Sequence, residues 1–285
     1  MQITFPLPGE TRSVFVVAAG RVPRTLGPMV PWRMRGLYRR AAVEALGASR
    51  LSIRVWRVGA SPWRGLGTWL SDGEEPEQAR VRRARRHVVV AGSAPLAAQP
   101  GAAQMARATA RAVAGMCDGV LIDPLTASTI FNCDDCPGER SSFALADDWL
   151  TWRHAGPSCL CAFAAEDAGC PHVVSRGLRR FGLPEIVAEG AACSHALCTS
   201  DFLRSVAEIL LHQHFDWLRR HPAAASCTIG DRLLVDDMVI RLSWLGPRGS
   251  VRGRLQVDVV PSVAQCVMVG DTSPFAVRPL RLYGT

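Results

Sequence analysis

Lysine is missing from this chain: all 33 basic side chains are arginine. Lysine is ordinarily among the commonest residues; codon composition in a GC-rich genome is the leading account of its loss, and selection against amine modification is the alternative. Asparagine occurs once, at Asn132, and tyrosine twice. No stretch approaches the roughly 18–20 consecutive apolar residues of a membrane span. The opening "MQITFPLPGETRSVFVVAAG" has no basic residue ahead of its short apolar run, and Glu10 and Arg12 interrupt it. That pattern is not a signal peptide, and it predicts a cytosolic protein without a membrane partner. G-x-S-x-G, H-E-x-x-H and P-loop motifs are all lacking, which removes the commonest hydrolase, metalloprotease and nucleotide-binding readings. What remains is 285 residues of 48% hydrophobic content, enough for one large domain or two small ones.

Charge is unevenly spread. Residues 1–70 hold 11 Arg against Glu10 and Glu44, a balance of +9. Residues 71–86, "SDGEEPEQARVRRARR", hold four acids followed by five Arg, a balance of +1. The rest carries 17 Arg and 19 acids, a balance of −2. The 71–86 block, polar and broken by Gly73 and Pro76, reads as a linker or boundary. Its second half suits a short helix, because acids in the first turn and Arg in the last complement the helix dipole. The expected organisation is thus a basic N-terminal part over 1–70, the charged block over 71–86, and a main domain over 87–285.

Apolar periodicity supports strands at 13–19, 51–58 and 87–93, and helices near 33–46 and over the Ala-rich 101–116. "GVLIDPLT" follows as another strand, so a β-α-β unit is expected near 87–126. Helix length alone leaves open whether its two strands pair directly. Strands are expected at 158–166 and 172–177. The clearest helix is "TSDFLRSVAEILLHQHFDWLRRHP", with Thr199 or Ser200 as cap, Arg219 and Arg220 in the last turn, and Pro222 as stop. Residues 226–282 are strand-rich, "QCVMVG" included. The sum is an α+β protein with mixed sheets and packed helices.

Ten cysteines in a cytosolic chain point to metal or thiol chemistry before disulfides. Cys133 and Cys136, in "FNCDDCPGE", have the spacing of one zinc knuckle. Tetrahedral zinc needs a second pair. Cys159 with Cys161, Cys170 with His172, and the group Cys193, His195 and Cys198 are the candidates for a structural zinc site within 133–198. The alternative is a set of free thiols packed like small hydrophobes. A redox role for the knuckle is opposed by Asp134 and Asp135, which disfavour thiolates. A Cys–His nucleophile and base would be drawn from Cys193 with His195, or Cys170 with His172. His214 lies on an apolar helix stripe and reads as a core histidine. His212 belongs to the solvated face, and His87, following a basic run, reads as solvent-facing. The acid pair Asp147/Asp148 reads as a cap on "DDWLTWRH", and Asp236/Asp237 as the start of a strand.

"RVWRVGASPWRGLGTW" interleaves Arg54, Arg57 and Arg64 with Trp56, Trp63 and Trp69. Arg and Trp are favoured interface anchors. The same residues suit phosphate contacts with base stacking. A third account is solvated arginines over core tryptophans.

"SRGLRRFGLPEIVAEG", residues 175–190, resembles a pattern in uncharacterised bacterial α+β domains, a Gly-Leu followed by Phe-Gly-Leu-Pro-Glu. In that family an Ala-rich helix and a "GV-hydrophobic-DP" strand come earlier, as "ARAVAGMCDGVLIDP" does here, and an Ile-Gly-Asp turn comes later. The resemblance would cover about 87–260 and implies a fold class without an activity. Physically, Gly182 and Pro184 suggest a turn feeding a strand, with Glu185 as a structural hydrogen-bonding residue.

The leading expectation is a non-catalytic binding or accessory protein that engages an acidic protein partner through the Arg/Trp surface. The competing expectations are an enzyme with a Cys–His or zinc-assisted site in 133–198, and a nucleic-acid binder through 33–86.

Overall fold

The strand expected at 13–19 is the centre of a five-stranded antiparallel sheet. The computed structural model describes residues 1–34, 36–70, 75–130, 145–155, 172–188, 196–235, 238–247 and 253–259. The chain is α+β and divides into two compact units. One comprises Glu10–Ala144, the other Met1–Gly9 with Leu145–Thr285. No helix among the described residues is long and apolar enough to cross a membrane.

In the Glu10–Ala144 unit, β2 (Glu10–Ala19) follows β1 (Gln2–Pro6) in the chain. It leads through α1 (Leu26–Arg33) and α2 (Gly36–Gly47) to β3 (Leu51–Arg57). After α3 (Leu66–Trp69) and α4 (Glu75–Arg83) come β4 (Arg86–Pro95), α5 (Gly101–Cys117), β5 (Val120–Asp123) and β6 (Ser128–Ile130). The sheet order is β3-β4-β2-β5-β6. β4 and β5 therefore run parallel to each other with β2 between them, each antiparallel to it. The expected β-α-β unit exists in split form. Without β6 the order is that of the ferredoxin-like split β-α-β arrangement, a fold that assigns no activity by itself.

Helices cover both faces of this sheet. Val16, Ala18, Val89, Val120 and Ile122 pack with Leu66 and Leu70 and with Val81 of α4 on one face. α5 lies on the other, and its alanines permit a close approach. Ala106 sits against Gly92, where an added Cβ would come within 3.1 Å of it. Burial on both faces explains why 87–93 reads as a continuous apolar run rather than an alternating one.

The charged block 71–86 is not where the chain divides. β3 pairs with β4 along its length, and β2 pairs with β4 over ten residues, so segments before and after the block share one sheet. α4 does have the expected polarity, with Arg80, Arg82 and Arg83 in its last turn. Val81 anchors it in the core.

In the other unit, β1 pairs with β10 (Ser226–Gly230). A six-stranded mixed sheet has the order β11-β12-β13-β9-β8-β7. Its strands are β7 (Thr151–Ala155), β8 (His172–Arg176), β9 (Glu185–Ala188), β11 (Arg232–Val235), β12 (Met238–Leu245) and β13 (Arg254–Val259), and only β9 with β13 is parallel. α6 (Leu145–Trp149) is a single turn that ends before β7 begins, so Asp147/Asp148 do not cap a helix through "TWRH". α7 (Ala196–Arg220) starts ahead of the expected cap residues Thr199 and Ser200. It buries Leu203, Val206, Ala207, Leu210, Leu211, His214 and Leu218 along one stripe. Full burial of each leucine contributes about 1.5–3 kcal/mol. The expected strands at 158–166 and "QCVMVG", and the Asp236/Asp237 pair, lie outside the described residues.

The "SRGLRRFGLPE" phrase builds a buried hydrogen-bond cradle. The Glu185 carboxylate accepts from the Ser175 hydroxyl at 2.6 Å and from the amides of Gly177, Leu178 and Arg179 at 3.0, 3.4 and 3.4 Å. Ser175 Oγ in turn accepts from the Ile186 amide at 2.9 Å. Gly177 (φ 125°) and Gly182 (φ 79°) occupy the left-handed region that side chains disfavour, which is why this turn needs glycine at both ends. Burial pushes the Glu185 carboxyl above its ordinary value, while the Ser175, Gly177 and Arg179 hydrogen bonds oppose that rise. The role expected for Glu185 is the one it has.

Candidate functional site

The topology of the Glu10–Ala144 unit gathers arginines that are far apart in sequence. β2 and β3 run in one direction and β4 runs against both. The C-terminal ends of β2 and β3 therefore meet the N-terminal start of β4 at one end of the sheet. Backbone bonds fasten this corner: Arg85 N–H donates to Ala19 O at 3.0 Å, and Val58 N–H to Arg85 O at 3.3 Å. The chain leaving β2 contributes Arg21, β3 contributes Arg57, and the entry to β4 contributes Arg85 and Arg86. These four line an open groove of about 840 Å³, together with Val22, Pro23, Val55 and Val58.

Among the described residues no acid lines this groove. Its arginines form no ion pair among the described residues; elsewhere in this unit Arg40 pairs with Glu44 and Arg80 with Asp118. Arg57 and Arg86 are directly cross-strand partners. Like charges facing each other across a ladder destabilise a sheet. Arg21, Arg57 and Arg85 are exposed and Arg86 is half-buried. Among the described residues the lining holds no Ser, Cys, His, Asp or Glu. Guanidinium stays protonated at any physiological pH, so the groove can bind anionic oxygens bidentately.

The structure brings only one of the sequence-predicted partner residues, Arg57, into this groove. Arg54 and Arg64 are exposed on the same unit. Trp56 and Trp63 are half-buried and pack against the core cluster. Trp69 ends α3, and its side chain lies outside the described residues. Arg21, Arg85 and Arg86 were not singled out from sequence. The signal was present in "RVRRARRHVVV": a strand starting at its last arginine and pairing with 51–58 sets Arg86 opposite Arg57.

His87 corrects the expectation of a solvent-facing residue, since it is 2% exposed. It shares the covered face of the sheet with Val89, and the turn after β3 folds over it. The Ser61 hydroxyl, itself buried, lies 2.9 Å from His87 Nδ1 and accepts from the Trp63 amide at 3.1 Å. Burial lowers the His87 pKa. A neutral ring with Nδ1 accepting the Ser61 proton satisfies this arrangement.

The candidate cysteine sites fall mostly outside the described residues: Cys133, Cys136, Cys159, Cys161, Cys170, Cys193 and His195 all do. His172 opens β8 and is half-buried, and Cys198 lies in α7 with its side chain undescribed. Among the described residues no three His, Cys, Asp or Glu groups come together as a metal site. Cys117 and Cys227 are buried free thiols, and burial raises both pKa values, that of Cys227 to about 11. Neither is a thiolate at neutral pH. His214 is a core histidine: its Nε2–H donates to Phe181 O at 3.0 Å, and desolvation lowers its pKa to about 4.

Fold and groove together define an α+β protein with an arginine-lined groove on one unit. No protein-family model matches the chain, and no curated protein or solved structure matches it.

Proposed function

We propose that this chain is a cytosolic, non-catalytic binding protein that engages an acidic protein partner through the arginine groove of its Glu10–Ala144 unit. One observation carries the reading: Arg57 and Arg86 face each other with no acid beside them among the described residues, in a groove that Arg21 and Arg85 extend. Such a cluster costs stability unless an anion neutralises it. The whole net charge of the chain supports it. The Glu10–Ala144 unit holds 19 Arg and 11 acids, a balance of +8, while the other unit holds 14 of each. A field of one sign also speeds encounter with an oppositely charged partner. The packing of Trp56 and Trp63 against the core disfavours the nucleic-acid reading, which needs aromatic faces free to stack on bases. The apolar lining at Val22, Pro23, Val55 and Val58 suits a polypeptide.

The test compares poly-L-glutamate with an oligothymidylate of equal charge, each titrated into the full chain at low and high salt. Salt-sensitive binding of polyglutamate, abolished by the double variant Arg57→Glu/Arg86→Glu, is the expected result. Undiminished binding by that variant overturns the groove as the site. Tighter binding of the oligothymidylate transfers the reading to nucleic acid.

A further inference from the structure

We infer that the outer edge of β3 accepts an extended acidic segment of the partner as an added strand, whose carboxylates are held by the arginine groove. The inference rests on the acidic-partner reading above and specifies how that partner docks.

The five-stranded sheet has two edges. β6 offers three residues, whereas β3 offers seven and contains no proline. Ser93 N–H donates to Arg50 O, and Val58 N–H donates to Arg85 O. Residues of that parity turn their backbone groups toward β4. The alternate residues Ile53, Val55 and Arg57 therefore direct N–H and C=O away from the sheet. Among the described residues no strand pairs with this edge. Natural sheets protect an edge by shortness, proline, a bulge or charge. Here the protection is charge of one sign, since Arg54 and Arg57 are both exposed. That charge repels a second copy of the same edge and attracts an acidic strand.

Val55 sits between those arginines and is 49% exposed, an apolar side chain on the open edge. Val55 and Arg57 also line the groove. A strand paired along Ile53–Arg57 thus runs on toward Arg85, Arg86 and Arg21, at about 3.3 Å per residue. Backbone pairing supplies affinity and the arginines supply selectivity for carboxylates, the division of labour of β-strand addition.

The probe is a fluorescent decapeptide of alternating Glu and Val, compared with the same peptide N-methylated at every amide, which blocks both edges of the strand. The charges are equal, but only the first can pair as a strand. Against the unmodified full chain, the methylated peptide should bind about tenfold more weakly by fluorescence anisotropy. Val55→Pro removes an outward N–H while keeping the β4 ladder and all four groove arginines, and should weaken the unmethylated peptide to the same level. Equal binding of the two peptides overturns strand addition and leaves the acidic-partner reading intact, as does binding of polyglutamate without binding of either peptide. Failure of all three probes overturns both.

Discussion

The two units differ in net charge and in what some of their charged groups meet. The Glu10–Ala144 unit carries the full excess of +8, and its groove arginines have no acidic partner among the described residues. The other unit is neutral in sum and buries Arg180 and Glu185, each against a neighbour. Its Arg180, 2% exposed, lies 5.0 Å over the Trp149 ring, and that ring meets Phe181 edge-on at 5.9 Å. Its Glu185 is enclosed by backbone amides and Ser175. An internal charge must be satisfied for the fold to exist. A surface cluster of unmatched charge contributes nothing to folding and gains its value from a ligand.

The largest expected effect tests the buried half of that contrast. Glu185→Ala leaves the Ser175 hydroxyl and the Gly177 and Leu178 amides without their acceptor. It should destabilise its unit by about 3 kcal/mol or more, read from urea unfolding. Glu185→Gln keeps one acceptor oxygen and should lose less. A loss under about 1 kcal/mol for the alanine variant would show that the cradle is not what holds the 177–182 turn.

The next effect is pH-dependent. His214 has a folded pKa of about 4 against 6.5 for the unperturbed group. The unfolded chain therefore binds more protons between those values, so stability is complete above about 6.5 and falls as pH drops toward 4. The shift corresponds to a loss of about 3 kcal/mol across that window. His87 acts in the same direction. His214→Gln can keep the donor to Phe181 O, and should flatten the profile of denaturant midpoint against pH. An unchanged slope removes His214 as its source.

The smallest effect belongs to the surface cluster. Arg86→Gln relieves the facing pair with Arg57 and should raise the melting temperature slightly at low ionic strength. The gain should vanish at high salt, where exposed charges are screened. A decrease at low salt would mean that Arg86 has a stabilising partner, and would weaken the case for an unmatched anion site.

Much of the fold was legible because its signals are local. The alternation in "LSIRVWRV", the apolar run "HVVVAGS" and the stripe of α7 each fix an element from its own residues. Gly182, Pro184 and Glu185 announced their turn for the same reason. α6 was overread into β7 because two tryptophans and an acid pair fit either period. The 71–86 block reads as a boundary because polar composition resembles a linker, while the apolar contact of Val81 that binds α4 to the sheet carries little weight among so many charges. His87 was misplaced because nothing in the sequence says that the turn around Ser61 returns over it. The groove was legible only at Arg57, since proximity to Arg21, Arg85 and Arg86 depends on which strands pair.

By itself the sequence determined the α+β class, the arginine-only positive charge and the period of the main elements, because each depends on residue type and spacing of a few positions. Tertiary structure alone decided that residues on both sides of the charged block form one sheet. It set Arg57 against Arg86 and left β3 at an edge. Strand order and register are global outcomes of packing, and a cluster assembled from Arg21, Arg57, Arg85 and Arg86 has no local signature until the strands are in place.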